Sequence, residues 1–167
     1  MKSKTRQACE DAVIKFADYI NKNTNGGEML YVGTGGDNCR EGEYAHLFKN
    51  YKSTSLDICP CYNPHIVGDI NKTEFENNSW DLIIAVQMLE HNENIFDMGK
   101  EIDRILKPGG YFIIDCPFMY PFHAEEGFMD LWRVTKDGMK VLFGKYFGLV
   151  DLEFNEHNTS CLYKKPL

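Results

Sequence analysis

Met29-Leu30-Tyr31-Val32-Gly33-Thr34-Gly35-Gly36 is the stretch on which the fold turns. Its four leading apolar residues read as a short strand buried on both faces, and the strand runs directly into a glycine turn. Upstream, Cys9, Val13, Phe16 and Ile20 lay an apolar stripe along a helix over 5–22. Asn25-Gly26-Gly27 stops it, because Asn and Gly take left-handed turns cheaply. Downstream, Tyr44, Leu47 and Phe48 predict a helix over 41–49, followed by a strand over 51–56 that ends at Asp57. Ile66-Val67 is a further short strand, stopping at Gly68-Asp69; the link before it is too short for a long crossover helix. Trp80–Val86 is the most continuous apolar run of the chain and reads as a central parallel strand.

Farther on, Asn92 or Asn94 caps a helix marked by Ile95, Met98, Ile102 and Ile105, which Lys107-Pro108-Gly109-Gly110 halts. Tyr111–Ile114 forms the next buried strand. A loop with Pro117 and Pro121 leads to a helix starting at Thr135 and packing Met139, Leu142, Phe143 and Tyr146. Val150, Leu152 and Phe154 alternate with acids, the period of a half-exposed antiparallel strand pairing with 160–163. Strands alternating with helices give an α/β fold: a Rossmann-like, mostly parallel sheet with helices on both faces and a C-terminal antiparallel hairpin. One domain over 1–167 is expected, with an N-terminal helical segment over 1–27 and an acceptor loop or lid over 117–134.

Bulk properties narrow the function. A formal charge of −7 repels phosphate backbones, so no nucleic-acid partner is expected. No run reaches the roughly 18 apolar residues of a membrane span, and the N-terminus lacks the apolar segment of a signal peptide. The six cysteines, Cys9, Cys39, Cys59, Cys61, Cys116 and Cys161, form no CxxC pair. They read as reduced packing thiols in a cytoplasmic protein. Cys59, Cys61 and His65 lack a second ligand pair at zinc spacing, so no metal is assigned.

In an open parallel sheet a ligand sits beyond the carboxyl ends of the strands. Three features fall at such ends: the Gly33-Thr34-Gly35 turn, Asp57 and Asp69. A carboxylate at Asp57 can accept both hydroxyl protons of a ribose, and one at Asp69 can accept a proton from an adenine amino group. Each alone is an ordinary turn or cap; their order along the chain points to a nucleoside. A dinucleotide's pyrophosphate calls for GxGxxG and a nearby helix N-terminus. Here Asp37 stands where the pyrophosphate belongs. S-adenosylmethionine, with a sulfonium and no phosphate, suits an acidic loop better than NAD does.

Met29–Gly36 (MLYVGTGG), Leu56-Asp57, Gly68-Asp69, Trp80–His91 (WDLIIAVQMLEH) and Glu101–Pro117 (EIDRILKPGGYFIIDCP) together resemble class I S-adenosylmethionine-dependent methyltransferases over roughly 28–155. The resemblance implies that Gly33, Thr34 and Gly35 contact the donor and that Asp57 with Ile58 holds the ribose. It also implies that Asp69 with Ile70 borders the adenine, and that Gln87 and Met88 flank the methionine portion. Two departures stand out: Tyr31 replaces the family's usual acid, and Asp37 a frequent third glycine. Tyr120–His123 and Asp130–Thr135 resemble a subgroup tied to sugar or cell-surface polysaccharide pathways.

The expected reaction is methyl transfer to oxygen or nitrogen of a small-molecule or glycan acceptor. Positioning and desolvation carry most of such a displacement, and a hydroxyl acceptor needs a base. His123 is the first candidate, oriented by Asp130; His91 is the second. Arg133 could bind an anionic acceptor, with Tyr120 and Trp132 as walls of its pocket. Two rival readings are a non-catalytic nucleoside-binding or assembly subunit and an NAD-dependent oxidoreductase.

Overall fold

The computed structural model describes residues 3–35, 41–124 and 128–167. Gly36, Asp37 and Cys39, which entered the sequence reading, lie outside them. Seven strands form one sheet: β1 (Gly27–Val32), β2 (Tyr51–Asp57), β3 (Ile66–Val67), β4 (Trp80–Val86), β5 (Leu106–Pro117), β6 (Gly148–Phe154) and β7 (Asn158–Lys164). Their order is β3-β2-β1-β4-β5-β7-β6. The first five run parallel, whereas β7 lies antiparallel between β5 and β6.

Side-chain alternation divides the core between the two faces of the sheet. Met29, Tyr31, Leu82, Ile84 and Ile113 point to α1 (Lys4–Asn23), whose Cys9, Val13, Phe16 and Ile20 are fully buried against them. Leu30, Val32, Ile83, Phe112 and Ile114 point the other way, to α2 (Ile95–Ile105) and α3 (Lys136–Phe143). Ser3 caps α1 by accepting the Arg6 N–H at 3.1 Å, and Thr135 caps α3 through the Gly138 N–H at 3.1 Å. Gly99 of α2 lets α3 approach: a Cβ there would stand 3.1 Å from the Leu142 carbonyl oxygen.

Two expectations need correction. Residues 41–49 make no α-helix but a single 3-10 turn, Ala45–Leu47. Gly42 is the reason. Its φ is +96°, and the place of its missing Cβ lies 2.2 Å from the Tyr31 ring, so the chain arrives in a left-handed bend that breaks helix geometry. Tyr44 and Phe48 still reach the core, since a 3-10 turn also turns such spacings inward. The second correction concerns Cys59 and Cys61, read as thiols; they are joined as a disulfide. Cys9, Cys116 and Cys161 are buried free thiols, and burial raises the pKa of each.

Candidate active site

The strand order reverses between β1 and β4, and the carboxyl ends of both open onto one cavity of about 280 Å³. Gly33 leaves β1 with φ +78°, and a Cβ on it would stand 2.8 Å from that of Met88. No side chain fits. Among the described residues, nothing lies within 4 Å of the place of the missing Cβ of Gly35. Asp57 braces the turn from the next strand: one carboxylate oxygen accepts the Thr34 N–H at 2.8 Å and its hydroxyl at 3.1 Å. Its other oxygen accepts the Cys59 N–H at 2.9 Å.

Across the cavity, β4 is followed by Gln87, whose φ of +52° is unusual for a side chain of its size. Its amide donates to the buried carboxylate of Asp115 on β5, which also accepts from Asn158 at 2.9 Å and from the Ser160 hydroxyl. Burial raises the pKa of Asp115, while those donors pull it back. The polar set fixes the turn that follows, Leu89–His91, at the cavity wall. There Glu90 is 1% exposed, and burial pushes its carboxyl up to about 8. Its Oε2 has no hydrogen-bond partner among the described residues. An unsatisfied buried carboxyl oxygen is costly, so this one calls for an explanation.

The chain after β5 folds back over the same turn. The Glu90 carbonyl accepts the Leu131 N–H at 2.8 Å, and the Trp132 indole N–H donates to the Asn92 carbonyl at 2.8 Å. Asp130 accepts two bonds from the Arg133 guanidinium, at 2.5 and 2.8 Å, and the His123 N–H at 3.0 Å. The guanidinium holds the Asp130 carboxyl well below the usual range. Its Oδ2 also lies 3.0 Å from Nδ1 of His123. The rings of His91 and His123 meet edge to face at 5.1 Å, and that of Tyr120 lies 4.9 Å from His123.

Of the residues singled out from sequence, Gly33, Thr34, Gly35, Gln87, His91, Tyr120 and His123 line this cavity together. Asp57 borders it through Thr34, and Asp130 stands behind His123. Others are elsewhere. Asp69 is exposed and folds onto its own loop, accepting the Asn71 N–H at 2.9 Å. Ile58 is 63% exposed, Ile70 is core, and Met88 lies behind Gly33. Trp132 is a prop of the loop, packed on the core, and Arg133 is engaged by Asp130. Sequence reasoning gave no role to Glu90, although it stood inside the quoted LEH, nor to Arg6 and Glu43. These last two line the cavity as an ion pair of 3.0 Å. Thirty-odd positions of chain separate them, and no local pattern announces their meeting. A broader depression of about 550 Å³ between α1 and the C-terminal hairpin, lined by Lys4, Lys15, Glu153 and His157, lies away from the strand tips.

Residues 39–114 match the family model described as a methyltransferase domain. That match, the strand order and the glycine turn agree in one respect: the fold is the Rossmann-like one of methyltransferase domains. Among its relatives, rat carnosine N-methyltransferase is 29% identical over 93 residues, covering 47% of this chain and 23% of that protein. The chain spans between 12% and 23% of the length of the curated relatives it matches. A protein from Pyrococcus horikoshii OT3 shares the fold at a TM-score of 0.72 and 19% identity, over 98% of this chain and 92% of that one. The 1,6-didemethyltoxoflavin-N1-methyltransferase of Burkholderia thailandensis, solved with S-adenosylhomocysteine, gives a TM-score of 0.69 at 14% identity, over 95% and 78% of the two chains.

Proposed function

We propose that this chain transfers the methyl group of S-adenosylmethionine to an oxygen or nitrogen of a small acceptor held beside His91, His123 and Tyr120. One observation carries the reading. A single cavity joins a bare glycine turn, where a donor can lie on the backbone, to two imidazoles.

When bound, the donor supplies an electrophilic methyl on a sulfonium. The chain's part is to hold and orient. Gly33 and Gly35 admit the donor's ribose against the backbone, with Asp57 at its hydroxyls. Arg6 and Glu43 offer one charge of each sign to the zwitterionic amino-acid tail, an arrangement that answers the missing acid at Tyr31. Gln87, locked on Asp115, walls the methionine portion. His123, oriented by Asp130, and His91 beside it govern the ionisation of the acceptor. The finer reading, a sugar or polysaccharide-pathway acceptor, rests on the Tyr120–His123 and Asp130–Thr135 segments.

Calorimetry with S-adenosylhomocysteine, followed by product release against a panel of hydroxyl and amine acceptors, tests the proposal. Binding with turnover of at least one acceptor class is expected. Binding without turnover across the panel favours a non-catalytic subunit, and failure to bind the donor product overturns the reading.

A further inference from the structure

The unexplained feature of the cavity is its acidic corner, where Glu90 keeps one buried carboxyl oxygen without a partner among the described residues, beside two imidazoles. We infer that Glu90, His91 and His123 form a divalent transition-metal site that binds the heteroatom of the acceptor. The inference rests on the reading of this cavity as the meeting place of donor and acceptor.

Three observations carry it. One ligand atom from each residue can be chosen so that all lie within 4.8 Å of one another. Ligands about 2.1 Å from a metal stand roughly 3–3.5 Å apart, so a modest inward swing of the two imidazoles completes the set. Both rings can make it, being 22% and 30% exposed, whereas Glu90 is fixed by burial.

The second observation concerns the ring nitrogens. Nδ1 of His91 lies 2.6 Å from the Met129 carbonyl oxygen, which can only accept, so Nδ1 carries the proton. Nδ1 of His123 lies 3.0 Å from Asp130 Oδ2 and 3.2 Å from the Pro121 carbonyl oxygen, again acceptors. The Arg133 guanidinium, a donor, stands farther off at 3.5 Å. In its neutral form each ring then has Nε2 as the acceptor, and that of His91 faces Glu90 Oε1 at 3.8 Å. A metal-bound histidine is held in this way, its other nitrogen donating to a carboxylate or carbonyl. Asp130 and Met129 are then the outer partners that fix the ligands.

The third is the orphaned oxygen itself. A buried carboxyl oxygen with an unshared lone pair invites a cation, and Arg133, whose charge reaches it, is already engaged by Asp130. Two imidazoles and one carboxylate leave coordination positions open to an incoming ligand. A hydroxyl or amine bound there is acidified by the ion, and its proton leaves to water as the heteroatom's lone pair is exposed. In this arrangement the histidines act as ligands to the ion rather than as the base.

Titration of the untagged protein with Co²⁺ alone, followed by its visible d–d absorption, tests the site without any need for turnover. The expected result is one saturable Co²⁺ per chain with the spectrum of a nitrogen–oxygen ligand set. Glu90→Gln and His123→Ala should each lower its affinity by at least about tenfold. Their binding of S-adenosylhomocysteine should persist, which shows that they fold; His91→Ala serves if either does not. No Co²⁺ bound by a wild-type protein that binds S-adenosylhomocysteine overturns the metal site and spares the donor reading, as does unchanged Co²⁺ affinity in folded variants. Co²⁺ bound without S-adenosylhomocysteine overturns the donor reading and the acceptor role given to the ion.

Discussion

Asp57 holds the glycine turn with two bonds, and its own loop at Cys59 with a third, before any ligand arrives, so its carboxylate has a structural duty besides the one proposed toward the ribose. Asp57→Ala should lower stability by about 1–3 kcal/mol, measured by urea unfolding, because it leaves the buried Thr34 N–H unsatisfied. Asp57→Asn keeps an acceptor and should cost less. If the ribose role holds, both variants lose donor affinity, by about 1.5–3 kcal/mol for the alanine. Donor affinity unchanged in a folded variant removes Asp57 from the site. Arg6 and Glu43 allow a sharper comparison. Glu43→Gln should weaken S-adenosylhomocysteine by about 1 kcal/mol, since the pair is partly exposed. Methylthioadenosine lacks the amino-acid tail and should bind the variant and the wild type equally. Equal losses for both ligands would place Glu43 elsewhere.

The link from β3 to β4 carries no helix, and α2 does the work of fixing it. Glu101 accepts the Thr73 N–H at 2.8 Å and its hydroxyl at 2.7 Å, while Arg104 donates to the Phe75 carbonyl at 2.7 Å. Arg104 also pairs with Glu101 at 2.7 Å and, ahead of the Thr73 bonds, holds its carboxyl down to about 2. The folded value lies below the unfolded one, so the stabilisation is complete above the unfolded pKa and fades as pH falls towards 2. Glu101→Gln should therefore cost about 1–3 kcal/mol at pH 7, with the gap from wild type narrowing as pH falls from 5 to 3. A gap that stays constant with pH would show that the charge is not what holds the link. Periodicity could not foresee this clamp, because a polar helical face looks the same whether it meets solvent or a loop. It did find the elements that bury continuous apolar runs. Trp80–Val86 is a strand from end to end, and Asn94 and Thr135 stand at the starts of α2 and α3. The failure at 41–49 came from spacing that serves a 3-10 turn as well as a helix, with Gly42 the overlooked punctuation.

At the scale of the whole molecule, the candidate site lies at one end of the sheet because the parallel strands all finish there. The glycine turn and Asp57 were legible in sequence for this reason: each ends a strand that the pattern locates. Asp69 follows a strand of only two residues, both exposed, so the edge strand gives its successor no fixed direction. The corner of Glu90, His91 and His123 depends on a loop that crosses from β5 back to the end of β4, a meeting no linear pattern encodes. Location by strand tips makes a prediction for the molecule entire. At 100 times its dissociation constant, S-adenosylhomocysteine should stabilise the fold by about 2.7 kcal/mol, and amide exchange can report where. Slowed exchange is expected at 33–35 and 87–92, with little change at the opposite edge around Gly27, Tyr51 and Trp80. The broader depression beside Lys4, Lys15 and His157 should stay unprotected. Protection centred there would move the donor to the outer face of α1. The turn that follows β1 would then be a structural bend and nothing more.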